Sequence, residues 1–300
     1  MKRVCLISLI LVAGFGQAQI SRVVAFGDSL SDSGNVNSLT FGISPGANYW
    51  QGRFSNGPTW IENFASANGL LANASRTGGT NYAYGSATAG SGNSNIFIPN
   101  SNNQVTTYLA GNTPSSSALF SVWAGGNNYL NGETNVNAVV AAISGNVRSL
   151  YNAGGRKFLV PGVALLGNVP RNLGTSNQAA LNTRSADHNA ALIRELATLR
   201  TTLPGSQITY LDVAGTFEAV RANPSAFGLV NVSQPALVGN TVVGNVDQYL
   251  FYDDVHPTRV GHRLLSQAAL SVVPEPATML TVGIGVAALA RRRRSSGGPR

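Results

Sequence analysis

Cysteine is almost missing from this chain of 300 residues: the single one, Cys5, falls in the first dozen positions. The rest of the chain therefore carries no disulfide, no thiol nucleophile and no thiolate ligand. Histidine is nearly as scarce, limited to His188, His256 and His262. Three histidines without cysteine argue against a dedicated transition-metal site. Neither G-x-x-x-x-G-K-[ST] nor H-E-x-x-H occurs, which removes phosphate-loop and zincin chemistry. No cofactor is expected.

Charge is also sparse. Charged residues make up 11% of the chain, and the net charge of +8 sits mostly at its ends. Lys2 and Arg3 carry +2, residues 274–300 carry +4, and the body keeps only +2. A weakly charged body gives no reason to expect a nucleic-acid partner, which needs a clustered basic face.

Both ends read as processing segments. Lys2 and Arg3 precede an apolar run over 4–12, and Gly16-Gln17-Ala18 follows. Basic start, apolar run and small residues make a secretory leader, cleaved after Ala18. The far end reads Val273-Pro274-Glu275-Pro276, then apolar residues 277–290, then Arg291 to Arg294. That apolar stretch is short of the roughly 20 residues a membrane helix needs, although Val272 and Val273 extend it. Transient or permanent membrane contact is expected through 277–290, with the arginines on the cytoplasmic side. The expected organisation is a leader over 1–18, one domain over 19–273 and a tail over 274–300. Such a body is long enough to bury a core without disulfides.

Within the body, short apolar runs at 22–26, 119–123, 157–163 and 207–213 have strand length and lack alternation, as strands buried on both faces do. Helical patterns lie between and after them, at 136–151, 177–203 and 258–272. In the second, Leu181, His188, Leu192, Leu196 and Leu199 share one stripe. Strands alternating with helices predict a three-layer α/β/α sandwich with a mainly parallel central sheet. The stretches 90–103 and 125–137, rich in Gly, Asn and Ser, read as loops.

The chemistry sits at the two ends of the body. Phe26-Gly27-Asp28-Ser29-Leu30 offers a serine directly after a strand. Asp253-Asp254-Val255-His256-Pro257 offers an Asp and a His in one turn. Nucleophile, base and base-orienting acid are the three parts of covalent acyl transfer. Each has a bland reading as well: Ser29 as a helix cap, His256 as a solvated turn residue. Their occurrence together weighs against it. His188 on the apolar stripe and His262 in the last helix read as structural. Gly42-Ile43-Ser44-Pro45-Gly46 fits G-x-S-x-G but lacks the strand before it that a nucleophile elbow needs. Gly283-Ile284-Gly285 sits in the apolar tail without an acidic partner downstream.

Gly27-Asp28-Ser29-Leu30 resembles the first motif of the GDSL, or SGNH, hydrolases, and three more motifs follow in that family's order. They are Asn81-Tyr82-Ala83-Tyr84-Gly85-Ser86-Ala87, Gly125-Gly126-Asn127-Asn128, and Asp253 to Pro257. Tyr49 to Gly57 resembles the loop after the first motif in secreted lipase-like members. The resemblance spans about residues 22–270 and implies a flavodoxin-like serine esterase or lipase-like acylhydrolase. It implies Ser29, Asp253 and His256 as catalytic residues. For the oxyanion it implies the Ser29 amide, the amide of Gly85 or Ser86, and the Asn127 side chain. Ser86 stands where Gly is common, and Asn128 where Asp is usual. The expected partner is an ester: a lipid, a small ester or an acylated polysaccharide. Deacetylation of an exopolysaccharide, or an idle surface or matrix-binding protein on the same fold, stay open as alternatives. The tail resembles the PEP-CTERM sorting signal, which implies export, an exosortase as partner, and delivery to the cell surface or extracellular matrix.

Overall fold

The structure, a computed structural model, describes residues 19–95 and 97–273. The expected leader and sorting tail lie outside the described residues. Strands β1 (Val23–Gly27), β2 (Leu119–Trp123), β3 (Lys157–Pro161) and β4 (Gln207–Leu211) form a parallel sheet in that spatial order. Every residue of β1 and β2 is buried, which is why these runs show no alternation.

The helices are α1 (Asn35–Leu39), α2 (Trp60–Ala67), α3 (Ser101–Gly111), α4 (Gly126–Leu130), α5 (Val136–Asn152), α6 (Gln178–Thr202), α7 (Val213–Ala222) and α8 (Arg259–Val272). On one sheet face, Val24, Phe26, Phe120 and Val160 pack with the apolar sides of α3, α5 and α6. On the other, Val23, Ala25, Leu119 and Leu159 pack with α2, α7 and α8. The alternation of strand side chains thus feeds two cores, and the architecture is a three-layer α/β/α sandwich.

Residues 80–84 run along the free side of β1, where Tyr82 N–H donates to Ala25 C=O (2.7 Å) and Tyr84 N–H to Gly27 C=O (3.1 Å). The chain thus leaves β1 to one side and returns on the other as β2. That makes the carboxyl ends of β1 and β2 the switch point, where open α/β sheets hold their sites. A smaller pair, β5 (Asn231–Pro235) with β8 (Tyr249–Phe251), is parallel. Between them β6 (Leu237–Val238) and β7 (Thr241–Val242) make a hairpin.

Two stretches expected as loops contain helix: α3 begins inside 90–103, and α4 lies inside 125–137. The short α4 has no apolar period to betray it, and the first turn of α3 is polar, its buried Val105 and Tyr108 lying beyond residue 103. Distant hydrogen bonds hold them instead. In α3 the Gln104 side chain accepts from Gly27 N–H (2.8 Å) and donates to Gly27 C=O (2.9 Å). In α4 the Asn128 side chain makes the same two-way pair with Ala89, at 2.8 and 3.1 Å.

Candidate active site

Ser29 stands two residues past β1, and the backbone there must be tight. Gly27 has φ of 151°, and a Cβ on it would lie 2.0 Å from the Trp123 carbonyl oxygen. Only glycine lets β1 and β2 close up at this end. Beyond it the Asp28 carbonyl accepts from Ser31 and Asp32 N–H, both at 3.0 Å. The turn leaves Ser29, 7% exposed, with its Oγ 2.8 Å from His256 Nε2.

The histidine comes from the loop after β8. Tyr252 N–H donates to His256 C=O (2.7 Å), closing the loop. Thr258 then caps α8 by accepting from Gly261 N–H and donating to Tyr249 C=O. Inside the loop, Asp253 Oδ1 accepts from the N–H groups of Val255 (2.9 Å) and His256 (2.7 Å). Its Oδ2 lies 2.7 Å from His256 Nδ1. Burial opposes the Asp253 charge. The facing His256, with the two amides, outweighs that and holds the carboxyl well below the ordinary carboxylate range. The structure therefore brings together Ser29, His256 and Asp253 in one continuous hydrogen-bonded chain.

Tyr49 and Asp32 complete the surroundings. Tyr49 donates its hydroxyl to Asp253 Oδ2 at 2.8 Å. Burial, with Asp253 next to it, pushes the Tyr49 phenol up, so it stays a donor. Tyr49 belongs to the segment singled out in the sequence, but nothing there marked its partner. Phe54 of the same segment lays its ring against His256, with centroids 5.3 Å apart. Arg53 anchors the segment on Glu62, at 2.6 Å, while Glu62 also completes the capping box of α2.

Asp32 is wholly buried and gathers four backbone amides. It accepts from Gly34 (2.8 Å), Asn35 (2.6 Å), Val36 (3.1 Å) and Gly85 (2.9 Å). It starts α1 and ties the first motif to the second. Burial pushes it up to about 6 against those amides, and burial also raises Asp28 to about 6.

Of the two candidate amides in the second motif, that of Gly85 is thus engaged by Asp32. Ser86 follows at φ 67° in a turn closed by Ala87 N–H to Tyr84 C=O (3.1 Å). Asn127, at the start of α4, donates from Nδ2 to Ala87 C=O (2.9 Å). An amide NH₂ has two protons, and this bond uses one of them.

The other histidines pack. His188 Nδ1 meets Tyr129 Oη at 2.7 Å, joining α6 to α4, and burial pushes its pKa down to about 4. His262 Nδ1 accepts from Trp60 N–H (3.2 Å) at the start of α2, and burial lowers it to about 3. Ser44 lies in the loop after α1, with its N–H on Thr40 Oγ1 (3.0 Å). Among the described residues no cluster of three His, Cys, Asp or Glu is placed to hold a metal ion. No described helix is long and apolar enough to cross a membrane.

A family model described as GDSL-like lipase/acylhydrolase matches residues 23–269, and one described as the PEP-CTERM protein-sorting motif matches 272–294. The chain is similar to the phosphatidylcholine-sterol acyltransferase of Aeromonas hydrophila, at 28% identity covering 90% of this chain and 96% of that protein. It is similar to GDSL esterase/lipase 7 of Arabidopsis thaliana, at 28% identity covering 89% and 94%. Among solved structures it resembles a member of the lipolytic G-D-S-L family from Veillonella parvula. There the TM-score is 0.51 at 15% identity, covering 84% of this chain and 97% of that one, a likeness of fold.

Proposed function

The chain belongs to the GDSL-like lipase/acylhydrolase family and is a hydrolase acting on esters, and we propose that Ser29 is its nucleophile, His256 its base and Asp253 the acid that orients the base. The observation that carries this is the unbroken chain from Ser29 Oγ to His256 Nε2 (2.8 Å) and from His256 Nδ1 to Asp253 Oδ2 (2.7 Å).

Ser29 Oγ attacks the ester carbonyl as its proton passes to His256 Nε2. Asp253, ionised and held by two amides and Tyr49, stabilises the imidazolium. The same proton goes to the departing alkoxide, leaving an acyl group on Ser29. Water then attacks the acyl-enzyme, with His256 again as base, and releases the acid. The oxyanion is received by the Ser29 amide, the Ser86 amide and Asn127 Nδ2. The hold of Asp32 on the Gly85 amide supports Ser86 over Gly85 in this role, and the bond to Ala87 supports a fixed Asn127. Such fixed donors are worth about 10²–10³ in turnover each.

The sorting motif indicates export through an exosortase. We take residues 1–18 as a cleaved leader, 19–273 as the hydrolase domain and 274–300 as the sorting tail. The finished enzyme would then work at the cell surface or in the matrix, on lipid, small-ester or acylated polysaccharide substrates. The alignment of His256 on a nearly buried Ser29 argues against an idle binding protein. Ser29→Ala tests the reading. The variant should fold as the parent does while ester turnover falls about 10⁴-fold or more; unchanged turnover would refute Ser29 as nucleophile.

A further inference from the structure

The segment 48–56 closes over the loop that carries Asp253 and His256. Ahead of Asp253, the Asn48 carbonyl accepts from Tyr252 Oη, and the Tyr49 ring packs edge-on against Tyr252 with centroids 5.3 Å apart. Beyond His256, the wholly buried Ser55 donates from Oγ to Pro257 C=O (2.8 Å), and Asn56 Oδ1 accepts from Arg259 N–H (2.7 Å). The segment is itself held in shape: Trp50 N–H donates to Ser55 C=O (2.9 Å), and Arg53 is tied to Glu62. It therefore grips the loop on both flanks of the Asp253–His256 turn, as a clamp.

Within the clamp, Tyr49 reaches the orienting carboxylate. Asp253 Oδ2 faces two donors, Tyr49 Oη at 2.8 Å and His256 Nδ1 at 2.7 Å, while Oδ1 takes the Val255 and His256 amides. A donor on a carboxylate draws part of its charge to itself, and that part no longer holds the facing imidazolium. The two amides belong to the loop's own turn. Tyr49 comes from 204 positions away and uses the same oxygen as the histidine. Burial and Asp253 push its phenol up, so Tyr49 keeps its proton across the neutral range.

We propose that Tyr49 is a positioning residue that sets how far into acid His256 works as a base. By sharing Asp253 Oδ2 it weakens the hold of the carboxylate on the imidazolium, so the ring gives up its proton at a lower pH than it would without the phenol. The inference rests on Ser29 and His256 acting as nucleophile and base. Among the described residues, Asp28 from the turn after β1 and His262 in α8 also bear on His256. A change at Tyr49 alters neither, so both enter parent and variant alike.

The test is the pH profile of kcat/KM for p-nitrophenyl acetate with the purified full chain, run beside fluorophosphonate labelling. Tyr49→Phe keeps the ring against Tyr252 and Phe54 and removes only the hydroxyl. Its acid limb should lie about half a pH unit above the parent's, so that activity falls about 3-fold further on that limb than at the alkaline plateau. Ser55→Ala breaks the clamp's bond to Pro257 but removes no donor from Asp253. It should lower the urea midpoint and leave the acid limb in place. A Tyr49→Phe limb that coincides with the parent's, in a chain that labels at Ser29, would overturn the role of Tyr49 alone. So would an equal shift in Ser55→Ala, which would trace the effect to the placing of the loop. A parent that neither labels at Ser29 nor turns over the ester would overturn the nucleophile as well.

Discussion

Ser86 shows what a single residue contributes here. The turn from Tyr84 to Ala87 needs a positive φ at its third residue, a place that favours glycine, and Ser86 fills it at 67°. A side chain in that region costs on the order of 1–3 kcal/mol. The proposed contribution of Ser86 to catalysis is its backbone N–H, which glycine also has. Ser86→Gly should therefore leave ester turnover within a few-fold of the parent. It should also raise stability by about 1 kcal/mol, after the added freedom of the unfolded chain is subtracted. Urea unfolding and kinetics on the same preparation check both. A destabilised variant, or one that loses most of its turnover, would mean that the Ser86 hydroxyl matters in a way the turn geometry does not explain.

At the scale of elements, legibility follows sequence distance. β1 with Ser29, and the turn from Asp253 to His256, were readable because their chemistry is local. The same holds for α6, whose buried stripe of Leu181, His188, Leu192, Leu196 and Leu199 repeats at helical spacing. The short α4 and the start of α3 were not readable, since side-chain bonds to Ala89 and Gly27 hold them, not an apolar period. The supports of the site were hidden for the same reason. Asp32 meets the Gly85 amide across 53 positions, Gln104 meets Gly27 across 77, and Tyr49 meets Asp253 across 204. Such pairs exist only once the sheet has brought β1, residues 80–84 and the last loop to one edge. The support for the Ser86 amide over that of Gly85 likewise comes from the bond that Gly85 N–H donates to Asp32.

For the whole molecule, two buried histidines tie folding to pH. His188 and His262 are pushed down to about 4 and about 3 by burial, while in the unfolded chain they titrate near the usual 6.5. Between those values the unfolded chain binds more protons, so their contribution to stability falls as pH drops below 6.5. Asp28 and Asp32, raised to about 6, act in the opposite sense: the folded chain binds the extra protons between 6 and the usual carboxylate value. Asp253, held low, loses its contribution only in stronger acid. His188→Gln removes one of the two histidine contributions. Its stability should fall less than the parent's between pH 7 and 5, by roughly 2 kcal/mol. Urea midpoints across that range measure the difference, and parallel profiles would contradict a neutral, buried His188.

The most direct test of the central claim is fluorophosphonate labelling of the purified full chain, with the adduct located by mass spectrometry. A serine activated by His256 predicts one adduct, on Ser29, that disappears in His256→Ala. An adduct on Ser44, or no adduct on folded protein, would contradict the account.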